Sequence, residues 1–163
     1  MDRLRADFES CKLKNVRTFI ASGNVIFESP LKDAALLEKT IEGTLGKSLG
    51  YEVATFLRTG DEMVAAAAHA PFGPGEIAGA SIYVAFLKEQ LGREGTRRIL
   101  ALRTDLDDLD VRGREIYWLR RNARERAGEP GPPLERVLTG PATTRNITTV
   151  KKIAAKYCQS SSP

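Results

Sequence analysis

Residues 105–121 read DLDDLDVRGREIYWLRR, an acidic run and a basic run on either side of one glycine. The first half alternates Asp with Leu and Val. The second holds Ile116, Tyr117, Trp118 and Leu119, residues that fit a pleated, half-buried surface. Arg112-Gly113 between them supplies a turn. The spacing predicts two antiparallel strands in which the opposed charges of Asp105–Asp110 and of the arginines partly neutralise each other.

Moving upstream, SIYVAFLKE from Ser81 is an apolar strand and GREGTRRILAL after it a helix. Downstream, AGEPGPP is a loop, LERVLTG makes one helical turn, and a final amphipathic helix runs from about Ile147 to Tyr157. In the N-terminal half, DRLRADFESCKL spaces Leu4, Phe8, Cys11 and Leu13 as a helix. NVRTFIASGNVIFES reads as two strands about a tight turn at Ser22-Gly23-Asn24. The helix of about Asp33 to Leu45 sets Leu37, Ile41 and Leu45 on one face, YEVATFLRTG is read as a third strand, and DEMVAAAAHA is a short helix stopped by Pro71.

The order is α-β-β-α-β, a short helix and linker, then β-α-β-β-α. Each half contains the α-β-β-α core of a split β-α-β plait. The expected class is therefore α+β: two plait-like, ferredoxin-like halves with antiparallel sheets and helices packed on them. The divisions expected are 1–72 for the first half, which lacks an opening strand, 73–80 for a glycine-containing linker, 81–160 for the second half and 161–163 for a tail.

The chain has 163 residues, 42% hydrophobic and 28% charged, which is enough to bury a substantial core and argues against disorder. No apolar run reaches the roughly 18 residues a membrane span needs, and MDRLRADF is not a signal peptide. A cytoplasmic protein with no membrane partner is expected, with Cys11 and Cys158 as unpaired thiols. The net charge of +4 is mild. Its local concentration is greater: Arg112–Arg126 holds six Arg and two Glu. Arg112, Arg114, Arg120 and Arg121 on or beside the strand are candidates for nucleic-acid contact; the alternative is a solvated, self-compensating hairpin.

Four segments, VRTFIASGNVIFES at 16–29, IYVAFL at 82–87, GREIYW at 113–118 and TTRNITTVKKIA at 143–154, together resemble the bacterial domain-of-unknown-function 1697 family. The resemblance implies a two-part α+β fold and no activity. It also implies that an opening strand and a glycine-containing loop, usual in the family, are absent ahead of the first helix. His69-Ala70-Pro71-Phe72 stands where the family often has Asn-Pro-Phe, which makes His69 a poor candidate for a shared catalytic base.

Several chemistries are excluded by residue type. With one histidine, two- and three-histidine zinc sites are impossible within one chain, and no G-x-S-x-G elbow accompanies it. The Asp105–Asp110 run lacks EF-hand spacing. Nothing matches a P-loop or a dinucleotide-binding fingerprint, so no cofactor and no metal are expected. Strand aromatics such as Tyr83, Phe86, Tyr117 and Trp118 are read chiefly as packing.

PATTRNITTVKKIAAKY at 141–157 concentrates polar residues ahead of the last helix. Asn146 or Thr148 can cap it. Arg145 beside a helix N-terminus is disfavoured by the dipole, by about 0.3–1 kcal/mol if exposed. An anion or a carboxylate would offset this. Thr143, Thr144, Arg145 and Asn146 are therefore candidates for holding a phosphate- or carboxylate-bearing ligand, with Arg17, Ser22 and Asn24 at the rim. The other readings are a simple cap with Arg145 in an internal ion pair, and a non-catalytic module forming a homodimer through an open sheet edge.

Overall fold

A computed structural model describes residues 2–19 and 23–158. The chain divides into two compact units, Met1–Leu57 and Arg58–Pro163. Among the described residues both contain antiparallel β-structure with helices packed on it, an α+β fold.

The first unit contains α1 (Asp2–Ser10), β1 (Lys14–Phe19), β2 (Asn24–Glu28) and α2 (Ala34–Leu49). β1 and β2 pair antiparallel, with Phe19 opposite Asn24 and a register irregularity between Lys14 and Arg17. Asn15 takes a positive φ there, a conformation asparagine tolerates better than most residues. α2 starts where the Asp33 side chain accepts from Leu36 N (3.1 Å). It ends at Gly50, whose left-handed φ of 81° lets its N–H reach Gly46 O. Leu37, Ile41 and Leu45 recur every fourth residue and bury one stripe of α2 against Phe8, Leu13 and Val16. Truncating Ile41 to alanine removes about 2–5 kcal/mol of such packing.

The expected strand at 51–60 is not formed. Alternating apolar residues make a strand only where an edge is available to pair with. Here Val53 and Leu57 pack against the core above, and Thr55 N donates to the α2 carboxylate of Glu42 (2.8 Å).

The second unit runs α3 (Gly60–Ala68), α4 (Pro74–Ile77), β3 (Ser81–Leu87), α5 (Arg93–Leu100), β4 (Asp107–Arg112), β5 (Glu115–Arg120), a 3₁₀ turn at Leu134–Arg136, β6 (Ala142–Asn146) and α6 (Ile147–Tyr157). Its sheet has the order β4-β5-β3-β6, and every neighbouring pair is antiparallel. The β4–β5 hairpin forms as expected, turning at Gly113 (φ 57°). The stretch expected as a plain linker at 73–80 lies inside this unit and contains the α4 turn.

Register sorts the sheet into two faces. One carries Ala85, Leu87, Leu109 and Ile116, which bury Ile99 of α5. On the other lie Val84, Phe86 and Tyr117. Tyr117 donates to Ala66 O of α3 (2.8 Å), and α3 packs in turn on α6. α3 is delimited by a capping box, Thr59 with Glu62, in which each side chain satisfies the other's backbone N–H.

One expectation is refined here. Residues 143–146 lead directly into the last helix as expected, but they do so as part of β6, an edge strand paired with β3, with Val84 opposite Arg145 and Phe86 opposite Thr143. Both threonines are β-branched and suit a strand. The last helix begins immediately after, at Ile147.

Candidate functional site

Strand geometry divides the 143–146 tetrad. Thr143 and Arg145 share the face that carries Val84 and Phe86; Thr144 and Asn146 point to the opposite face. Asn146 is the cap of α6: its Oδ1 accepts from Thr148 N (2.8 Å). Arg145 is half-buried, and its Nη1 donates to Thr143 Oγ1 (2.7 Å) and Thr144 O (3.0 Å). Burial lowers its pKa from the ordinary arginine value, so the surroundings penalise the cation. No acidic residue stands in the first turn of α6.

The rim residues belong to the first unit. Arg17 is exposed on β1 opposite Ile26. Asn24 closes the hairpin, donating through Nδ2 to Phe19 O (3.2 Å). Ser22 lies outside the described residues.

The four arginines considered for nucleic acid all have partners within the second unit. Arg112 Nη1 donates to His69 Nδ1 (2.9 Å). Arg114 Nη2 pairs with Glu62 (2.9 Å). Arg121 pairs with Glu76 (3.2 Å) and donates to Asp105 O. Arg120 is buried, donating to the carbonyls of Arg126, Glu129 and Pro130. This ties the 121–133 segment down from beneath.

Across the hairpin, Asp107 is buried and accepts from Arg126 (2.7 Å) and Trp118 Nε1 (2.8 Å). Burial alone would raise its pKa. The Arg126 and Trp118 bonds outweigh that and hold it below the usual carboxylate range. The opposite-sign blocks thus meet in space.

Two features escaped the sequence reading. Arg58 lies within an apolar run, and its side chain is buried at the sheet end. Its Nε donates to Glu115 (2.8 Å), its Nη2 to Leu87 O and Arg114 O, and its guanidinium lies over the Phe86 ring. The second is a polar cluster beside the β4–β5 turn. His69 lies edge-on to Tyr117, with ring centroids 4.7 Å apart, and its two nitrogens meet Asp110 and Arg112, each at 2.9 Å. Burial pushes the Tyr117 hydroxyl up to about 12, with Glu115 adding to the shift, so it stays a donor. A groove of about 200 Å³ adjoins, lined by Glu62, Gln90, Arg112, Arg114, Glu115 and Tyr117 among others. No sequence signal joins His69 to Asp110, 41 residues away; only the fold does.

A family model matches residues 1–117, well over half of the sequence. The chain belongs to the DUF1697 family. That family is described as a protein of unknown function, so membership assigns no reaction. In this DUF1697 member the matched residues include Arg58, His69, Asp110, Arg112 and Tyr117; residues 143–154, which the sequence reading included in the resemblance, lie beyond the match. No match was found among curated proteins or among solved structures. Among the described residues no group of three or more His, Cys, Asp and Glu is arranged to hold a metal ion. No helix there is long and apolar enough to cross a membrane. Cys11 and Cys158 are free thiols.

Proposed function

We propose that this DUF1697 protein binds a phosphate- or carboxylate-bearing ligand at the start of α6, through Arg145 and Thr143. One observation carries the reading: the Arg145 guanidinium is half-buried directly before a helix N-terminus, on the strand face it shares with Thr143. Desolvation and the helix dipole both disfavour a cation there. A bound oxyanion at this position accepts charge-assisted hydrogen bonds from Arg145 and is favoured by the helix N-terminus. Asn146 is the helix cap in this reading, and Thr144 faces away.

Isothermal titration with inorganic phosphate and with small carboxylates tests it. The wild type binds at least one of them, and Arg145→Ala, confirmed folded by circular dichroism, loses about 1.5–3 kcal/mol of affinity, as for a hydrogen bond to a charged group. Equal affinity in the variant, or no binding by the wild type, refutes the reading.

A second reading draws on the position of β6. Its free edge, with Ala142 and Thr144 exposed, can add a strand from a second copy. A sedimentation series remaining monomeric at all concentrations removes it. Nucleic-acid binding is less favoured, because Arg112, Arg114, Arg120 and Arg121 already serve internal partners.

The second unit we infer to be a split β-α-β plait. β5 lies between β3 and β4, which α5 connects, and β6 flanks β3, as in a ferredoxin-like sheet. α6 follows the last strand instead of preceding it.

A further inference from the structure

The groove between α3 and the β4–β5 turn is separate from Arg145. Its lining holds two carboxylates and two guanidinium groups, and their pairing is uneven. Glu62 is bonded to Arg114, and Glu115 to the buried Arg58. Arg112 differs: its side-chain partner is a ring nitrogen, Nδ1 of His69. An arginine N–H only donates, so Nδ1 is the accepting nitrogen and Nε2 carries the proton that His69 donates to Asp110. Asp110 and Arg112 are two residues apart on β4 and share a face, so one strand grips both nitrogens of the ring.

This arrangement has two halves of unequal strength. The Asp110 bond fixes the ring and its tautomer, as a carboxylate behind an imidazole does in many sites. The Arg112 bond joins a cation to a neutral acceptor and is the more readily exchanged, since a guanidinium pairs more strongly with an oxyanion. Arg112 and Gln90 both line the groove, a cationic and a neutral donor. With Glu62 and Glu115 on the same walls already paired with Arg114 and Arg58, Arg112 offers one positive charge to match a singly charged ligand, and about 200 Å³ admits only a small one.

We propose that this groove is a binding site for a small monocarboxylate held by Arg112, and that its occupancy uncovers Nδ1 of His69 as a proton acceptor beside the bound ligand. On binding, Arg112 exchanges Nδ1 for the ligand carboxylate. His69, still held through Nε2–H by Asp110, then presents a free lone pair. A proton taken there leaves an imidazolium paired with the Asp110 carboxylate.

The protein has one histidine, so a two-bond proton–nitrogen correlation spectrum of the labelled full chain shows a single imidazole. Propionate, inorganic phosphate and sodium chloride are titrated at matched ionic strength and fixed pH. The expected result is a saturable shift of the Nδ1 resonance with propionate, a weaker response to phosphate, and none to chloride. Arg112→Gln should start at the uncovered position and not move with propionate. Gln90→Ala should leave the ligand-free spectrum unchanged and weaken the propionate response. A wild type whose Nδ1 resonance does not respond to propionate overturns the proposal without any variant. So does an equal response in Arg112→Gln, or a tighter response to phosphate than to propionate. The readout is local to His69, so anion binding at Arg145 does not enter it.

Discussion

Arg58 is the most informative single side chain to remove. Its side chain is 3% exposed and that of its partner Glu115 is 15% exposed, so neither charge is well hydrated. Arg58→Ala leaves Glu115 half-enclosed without its cation and takes a donor from Leu87 O and Arg114 O. Breaking a buried pair by deleting one partner costs about 3–5 kcal/mol, mostly the penalty of the charge left behind. Urea unfolding followed through Trp118 emission measures it, because this sole tryptophan sits on β5 of the same unit, stacked on Tyr83. With a slope of about 1–3 kcal/mol per molar urea, the midpoint falls by about 1 M or more. The matched test is the double variant Arg58→Met with Glu115→Leu, which removes both charges and refills part of the volume. It should recover much of the loss, because replacing a buried pair by apolar groups is often close to neutral. If the single variant shifts stability by less than about 0.5 kcal/mol, or if the two substitutions are simply additive within about 0.5 kcal/mol, the ion pair does not hold the sheet end as argued.

Gly131→Ala places a methyl 2.6 Å from Cη2 of Trp118, a ring already fixed by Tyr83 and Asp107; a loss of about 1–3 kcal/mol in the same urea assay is expected, whereas Gly140→Ala meets open space and should be nearly silent. Asp107 has its pKa lowered in the folded state, so it adds stability above the ordinary carboxylate value of about 4 and this is lost as pH falls through the folded value. Acid melts of Asp107→Asn should therefore show a shallower decline than the wild type below about pH 4. Tyr117 runs the other way: its folded pKa is raised to about 12, so its contribution is intact below the unfolded value near 10 and is lost as pH rises toward 12. Absorbance titration of the four tyrosines should show one late phase that Tyr117→Phe abolishes, and the substitution should cost about 1 kcal/mol for the bond to Ala66 O.

The elements legible in the sequence were those whose signal is local. The β4–β5 hairpin carries its own alternation and its own turn glycine, and α6 carries a stripe of Val150, Ile153 and Ala154. Residues 51–60 failed for the opposite reason. Their alternation is real, but a strand also needs a free edge, and the Glu42 carboxylate takes the Thr55 N–H instead. The Thr143–Asn146 tetrad was legible as a concentration of hydrogen-bonding groups but not as a strand, since only the pairing with β3 decides which side chains face together. The groove cluster was not legible at all. His69 looked isolated because its partners, Asp110 and Arg112, come from β4, more than 40 residues on. The opposed charges of Asp107 and Arg126 were foreseen as a hairpin property, while the buried seat of Arg120 under the following loop was not.

That seat has a consequence for how the protein meets proteases. A chain segment with six arginines between 112 and 126 offers trypsin many formal cleavage points. In the folded molecule Arg120 is buried, and Arg121 and Arg126 are half-buried and engaged with Glu76 and Asp107. Arg124 is exposed in the same loop. A protease needs several residues of extended, accessible backbone, and here the carbonyls of Arg126, Glu129 and Pro130 are pinned by one guanidinium from below. The first nick in this region therefore falls after Arg124, and the rest of the segment becomes susceptible only once Arg120 lets go. The rate of cleavage at the other arginines thus serves as a clock for the opening of the second unit.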